Sequence, residues 1–145
     1  MKLTYCKASR ADTDQIFACS RDLVESYEDA GQIDFARVQA WMRRKLEIHL
    51  DEYTTVFADG EKVGFYRLFR NEEGLDELDV FFVLPPYRGR GIGSAVLAHC
   101  IVRTEGDLML CVFTRNVRAR AFYYRHGFEP FRTISTTRQL LLRKK

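Results

Sequence analysis

The chain reads as an α+β domain built on one mixed, mostly antiparallel sheet with helices on both faces. Three observations predict it. Residues 53–84 carry three strand-like runs separated by turn signals, the pattern of an antiparallel meander. The apolar run Leu78–Leu84 ends at Pro85-Pro86 and passes through a glycine-rich turn into an apolar helix. Leu108–Phe113 follows that helix, so it returns parallel to the earlier strand through a right-handed crossover.

Taken in order, Leu3–Ala8 alternates and opens the sheet. Ser9-x-x-Asp12 has the capping-box pattern, and Ile16, Phe17, Leu23 and Val24 behind it are apolar at helical spacing. Asp34 caps a second helix whose stripe of Phe35, Val38, Trp41, Met42 and Leu46 reads as core. Tyr53–Ala58 and Lys62–Phe69 flank Asp59-Gly60, a strong hairpin signal. Asn71-Glu72-Glu73-Gly74 turns the chain into Leu75–Leu84. A helix over 94–104 ends near Gly106, and Leu108–Phe113 is the next strand. Asn116–His126 forms a short helix closed by Gly127, and Phe128–Phe131 and Thr136–Leu142 are the last strands. The order along the chain is β-α-α-β-β-β-α-β-α-β-β.

With 145 residues, 46% hydrophobic and 30% charged, the chain suits one domain, 1–145, with a core of its own. No apolar run approaches the ~20 residues of a membrane helix. Met1-Lys2-Leu3-Thr4 enters a strand directly, with no signal-peptide core. Cys6, Cys19, Cys100 and Cys111 lack paired spacing and sit among apolar neighbours, as reduced core thiols of a cytoplasmic protein do. His49, His99 and His126 lie far apart and near no cysteine pair, so no metal site is expected. Charge is unevenly spread. Residues 1–83 hold 11 Lys/Arg against 17 Asp/Glu, a net of −6, and residues 84–145 hold 12 against 3, a net of +9. The basic half suits a polyanionic ligand and the acidic half a cationic one, although any single charge reads equally as a solvated face.

The glycine-rich turn is the sharpest chemical signal. Gly89, Gly91 and Gly93 let the backbone fold tightly with its N–H groups toward a ligand, and a helix N-terminus follows. Arg88 and Arg90 add full positive charge. This composition suits a diphosphate. The glycine spacing misses the Gly-x-Gly-x-x-Gly of dinucleotide folds, and no Gly-Lys-Ser/Thr follows to make a P-loop.

In this order, these motifs resemble the GNAT superfamily of acetyl-coenzyme A-dependent N-acetyltransferases, over nearly the whole chain. Arg88-x-x-Gly91-x-Gly93 is like the family's Gln/Arg-x-x-Gly-x-Gly/Ala loop, and Val83-Leu84-Pro85 like its Val-x-Pro at the end of the fourth strand. Asn116-x-x-Ala119-x-x-x-Tyr123-x-x-x-Gly127-Phe128 matches the second family signature. The resemblance implies acetyl-coenzyme A as cosubstrate. Its pyrophosphate would lie on the amides of Arg88, Gly89, Arg90, Gly91, Ile92, Gly93 and Ser94. Its pantetheine arm would lie on backbone groups of Phe82, Val83 and Leu84, where the fourth and fifth strands part. Pro85 and Pro86, which cannot donate ladder hydrogen bonds, support that parting. Asn116 would contact the cofactor arm.

The reaction implied is direct transfer of acetyl from a thioester to a primary amine. Such an amine, with a pKa near ~10.4, must lose a proton before it attacks. Glu77 and Asp79 lie on the fourth strand two residues apart, hence on one face, and Asp79 is nearer the expected thioester. Asp79 is preferred as base, with Glu77, a water or another residue as alternatives. Two edge-exposed solubility charges would look the same. The Val83 or Leu84 N–H would face the developing oxyanion. Tyr123 would donate to the departing sulfur, against a plain packing role beside Phe122 and Tyr124. Cys100 and Cys111 have no histidine placed to activate them as nucleophiles.

Tyr27, Glu28 and Asp29, with Glu25 and Asp34, make an acidic and partly aromatic set where the family builds its acceptor site. They point to a small cationic acceptor such as a polyamine, an aminoglycoside or a lysine-like amine. The partners expected are that small molecule, with neither nucleic acid nor membrane, and with a homodimer left open. Two rivals remain: a coenzyme A-binding regulatory module without catalysis, and an acetyltransferase for a protein lysine or N-terminus. A nucleic-acid-binding domain using Arg138, Arg143, Lys144 and Lys145 would leave the Asn116–Phe128 pattern without a reason.

Overall fold

In the computed structural model, which describes residues 1–145, the chain runs β1 (Leu3–Lys7), α1 (Thr13–Tyr27), α2 (Phe35–Ile48), β2 (Tyr53–Ala58), β3 (Glu61–Arg70), β4 (Asp76–Val83), α3 (Ile92–Arg103), β5 (Leu108–Phe113), α4 (Val117–Arg125), β6 (Glu129–Thr133) and β7 (Arg138–Arg143). The element order is the expected one. All seven strands join one sheet in the order β1-β2-β3-β4-β5-β7-β6. Every pairing is antiparallel except β4 with β5. On one face Ile16, Cys19 and Leu46 of α1 and α2 pack on Tyr53 and Phe65. On the other, Val96, Leu97 and Cys100 of α3 pack among Val56, Val63, Leu78, Leu108 and Leu141, with Phe122 and Tyr123 of α4 against them. No helix is long and apolar enough to cross a membrane.

The local signals have simple causes. Asp59 (φ 51°) and Gly60 (φ 85°) both take left-handed backbone, as the two-residue turn between β2 and β3 demands. Ser9 donates its N–H to Asp12 Oδ2 at 2.9 Å, completing the capping box ahead of α1. The same carboxylate receives Thr55 Oγ1 at 3.1 Å and Lys62 Nζ at 2.5 Å, so it also fastens the start of α1 to β2 and β3. Asp34 Oδ1 accepts the Arg37 N–H at 3.2 Å and caps α2 as expected.

Three expectations change. The third helix begins at Ile92 rather than residue 94, because Gly91 (φ 80°) already serves as its left-handed cap. Trp41 is 56% exposed, since Met42 and Leu46 take the buried side of α2. All four thiols are free, but Cys6 and Cys111 are exposed while Cys19 and Cys100 are buried. Cys6 alternates outward on the edge strand β1. Cys111 faces the gap described next.

β4 and β5 pair only through Asp76–Leu78 and Leu108–Leu110, whereas β5 pairs along its whole length with β7. The strands therefore part at Asp79, well before Pro85-Pro86, which lie in a short 3-10 turn beyond the strand. The cause is a bulge. Between the pairs Phe65–Phe82 and Arg67–Asp79, β3 has one residue where β4 has two. Val80 absorbs the extra length at φ 50°, a left-handed conformation costing a β-branched residue about 1–3 kcal/mol. Asp79 Oδ1 accepts the Val80 N–H at 2.9 Å and offsets part of that cost.

Gly64 sits opposite, on β3. A Cβ built there would lie 2.3 Å from the Phe82 carbonyl oxygen, a backbone atom that cannot swing aside. Gly64→Ala is thus expected to destabilise the protein by about 1–3 kcal/mol and to push Phe82 and Val83 outward. Urea denaturation tests this, and an unchanged midpoint would contradict the close approach.

Candidate active site

The turn after β4 is a run of open donors. Arg88 N–H is taken by Pro85 O at 3.2 Å, and Ala95 N–H by Gly91 O at 3.1 Å. Between them, no residue from Gly89 to Ser94 donates its N–H to any protein group. Six successive amides are left at a helix N-terminus, with Gly89 (φ 78°) and Gly91 (φ 80°) curling them inward. This is an anion cradle in the sense of both the dipole and the backbone nest. Arg90 lies 5.7 Å over the Tyr87 ring, beside it. The donor set fits a diphosphate.

Beyond the bulge, the free edge of β4 has a definite polarity. Leu84 donates its N–H to Val63 O at 2.8 Å, so it is turned toward β3. Alternation along the strand turns Phe82 the same way and Val83 the other way, into the gap. Of the three predicted positions, only Val83 presents its backbone there. Its carbonyl accepts Arg88 Nε at 2.8 Å, with the guanidinium 4.9 Å over the Phe82 ring. Leu84 is accordingly removed as an oxyanion donor, and Val83 is left.

The gap leads into a cleft between the sheet and α1–α2, with 17 hydrophobic residues among the 22 that line it. Asp79, Asn116 and Tyr123 all line it, brought together from β4, the cap of α4 and α4 itself. Asn116 Oδ1 accepts the Ala119 N–H at 3.2 Å, leaving its Nδ2 with no protein partner. The half-buried Tyr123 phenol is pushed well above its usual range, chiefly by burial, with Cys100 and Asp79 adding to the effect. Its hydroxyl bonds no protein group. Cys111 also lines the cleft, where desolvation by the neighbouring walls, despite its exposed surface, pushes its thiol up to about 11 and keeps it protonated at neutral pH.

Asp79 is not alone. Its Oδ2 faces Lys45 Nζ at 3.1 Å and Arg67 Nη1 at 3.4 Å. Arg67 is 5% exposed on β3 and also donates Nη2 to Glu52 Oε1 at 2.7 Å, which His49 approaches at 3.1 Å. Lys45 and Arg67 escaped the sequence reading. A lone arginine within Phe65-Tyr66-Arg67-Leu68-Phe69 was the available signal, because a buried guanidinium requires carboxylate partners.

The other predicted residues lie elsewhere. Glu77 does not line the cleft; its carboxyl is bonded to Asn71 Nδ2 at 3.1 Å and is raised mainly by burial. Tyr27 stacks on Phe113 at 6.0 Å, outside the lining. Glu28 is buried and takes Thr137 Oγ1 and Arg138 Nε, the latter at 3.0 Å. Asp29 Oδ1 accepts the Gly31 N–H at 3.0 Å. None of these three presents a free group to the cleft.

Comparison with known proteins bears on this arrangement. The profile of the Acetyltransferase (GNAT) family matches residues 16–128. An uncharacterised N-acetyltransferase of Archaeoglobus fulgidus is 31% identical over 128 residues, covering 79% of this chain and 86% of that one. The spermine/spermidine N(1)-acetyltransferase of Bacillus subtilis is 29% identical over 133 residues, covering 83% and 86%. In structure, the chain is similar to a PaiA N-acetyltransferase from Thermoplasma acidophilum crystallised with coenzyme A. That likeness has a TM-score of 0.75 at 22% identity and spans 100% of both chains.

Proposed function

Since the chain belongs to the acetyltransferase (GNAT) family and is an acetyl-coenzyme A-dependent N-acetyltransferase, we propose that it acetylates the primary amine of a small acceptor held in the cleft. The observation that carries this is the continuity of three features. Six unpaired amides, Gly89–Ser94, abut a strand edge freed at Asp79, and that edge opens on a half-open cleft with mostly hydrophobic lining residues. The amides, with Arg88 and Arg90, suit the diphosphate. The free Nδ2 of Asn116 suits the amide-bearing arm.

Acetyl-coenzyme A supplies the thioester, whose C–S bond breaks as the new C–N bond forms. The Val83 N–H is the donor aimed where charge develops on the carbonyl oxygen. Asp79 is the carboxylate that receives the amine's proton, directly or through water. Lys45 Nζ and Arg67 Nη1 hold its Oδ2 in place at 3.1 and 3.4 Å. Tyr123, protonated across the working range, donates a hydrogen bond to the leaving sulfur. Cys111, held as a thiol, supports transfer without an acyl-cysteine step. The relatives named for spermine put polyamines among the acceptors to try.

The test combines calorimetry with acetyl-coenzyme A and release of free thiol. Binding is expected, and thiol should appear only with an amine present. Below the acceptor's pKa of ~10.4, kcat/KM should climb about tenfold per pH unit as the free amine grows. Tyr123 should cause no alkaline fall below about pH 10, its ordinary value, because its phenol is raised. A folded protein that binds no acetyl-coenzyme A overturns the reading.

A further inference from the structure

Resting on that acceptor site, we propose that the acceptor is a monoamine, one primary amine on an apolar, aryl-sized or branched-alkyl body with no second positive charge. The cleft's walls are the first reason. Phe17 and Leu23 of α1, Trp41 and Met42 of α2, and Phe113 of β5 surround the space, and 17 of the 22 lining residues are hydrophobic. Such a wall gains by covering an apolar body, and its uncharged polar side chains, Ser20, Asn116, Tyr53 and Tyr123, bring no negative charge to hold a second ammonium.

The charge balance is the second reason. Only Lys45, Asp79 and Arg138 bring ionic groups to the lining, two cations against one anion. Asp79 is already shared by Lys45 and Arg67, and the nearby Glu28 is held by Arg138 and Thr137. Glu28 is thus no spare anion for a polycation, and Asp29, whose Oδ1 accepts the Gly31 N–H, carries its charge outside the lining. Asp79 remains able to meet one ammonium, the one that reacts.

The route outward is the third. An adjoining groove shares Trp41 and Lys45 with the cleft and adds Arg44, Ile48, His49 and Arg67. Glu52 and Asp79 answer Arg67, Lys45 and His49, but Arg44 forms no salt bridge. A polyamine lying out of the cleft along this path would run its distal ammonium past uncompensated positive charge.

Trp41, the one tryptophan in the chain, lines both spaces and reports binding without turnover. The experiment titrates 2-phenylethylamine and spermidine into the protein with coenzyme A, following Trp41 emission, and measures kcat/KM for each with acetyl-coenzyme A. Phenylethylamine is expected to shift the emission and to exceed spermidine in kcat/KM by about a hundredfold, the scale of an unpaired charge at a desolvated site. Leu23→Glu, which adds a free carboxylate to the wall, should narrow that ratio, with acetyl-coenzyme A affinity unchanged. Preference for spermidine overturns the monoamine assignment, and so does acetyl-coenzyme A binding with neither amine accepted. Absence of acetyl-coenzyme A binding fails the underlying function instead, and calorimetry separates the two.

Discussion

Gly91→Glu is expected to raise the Kd for acetyl-coenzyme A by about a hundredfold or more while the protein stays folded. Charge-assisted hydrogen bonds contribute about 1.5–3 kcal/mol each, so losing one or two to the diphosphate is enough. Two effects of the substitution act together. Gly91 caps α3 at φ 80°, and a side chain there costs about 1–2 kcal/mol in left-handed backbone. A carboxylate at the start of the helix also takes the open amides for itself and repels phosphate. Space is not the obstacle, since a Cβ at Gly91 would meet nothing within 4 Å. Gly91→Ala therefore separates strain from charge, and should weaken binding by at most about 30-fold, the equivalent of that strain. Calorimetry on both variants, with thermal melting as the control, decides the matter. Wild-type affinity in Gly91→Glu would remove the diphosphate from this turn.

Tyr123→Phe should cut kcat by about a hundredfold, the lower end of what a positioned proton donor contributes. The Kd for acetyl-coenzyme A should stay within about twofold, because the change deletes one hydroxyl, a group worth most in the transition state. The ring packs edge-on against Phe122 at 5.4 Å and Phe128 at 5.6 Å, contacts that phenylalanine keeps. The hydroxyl bonds no protein group, so its removal leaves no orphaned partner. A melting temperature like that of the wild type beside a collapsed kcat would mark the phenol as part of the chemistry. A kcat within about threefold would return Tyr123 to packing alone, since a proton donor is worth far more.

Much of this molecule was legible before its structure. Ser9-x-x-Asp12, Asp34, Asp59-Gly60 and Asn116 each mark a boundary, and each does so through a bond or torsion spanning only a few residues. The phosphate cradle is of the same kind, because glycine torsions and a helix start determine which amides are open. The errors share a different character. The stripe through Trp41 reads as core because helical periodicity reports one face, and it does not say where a neighbouring wall stops. Pro85-Pro86 support a parting of the strands at their ends, yet the strands part at Asp79, through a bulge visible only in the β3 register.

The sequence by itself determined the order of elements, the glycine-rich turn with its open amides, and both motifs, 28 positions apart (88 to 116), on which the family resemblance rests. Those properties depend on neighbours along the chain. Only the tertiary structure decided which groups face the cleft and which are already satisfied. Glu28 is matched by Arg138, 110 residues away, Asp79 by Lys45, 34 residues away, and the Leu84 N–H by Val63 on the adjacent strand. A carboxylate or an amide looks the same in sequence whether free or paired. Its availability to a ligand depends on a partner that folding supplies, and hydrogen-bond satisfaction across long separations leaves no local pattern to read.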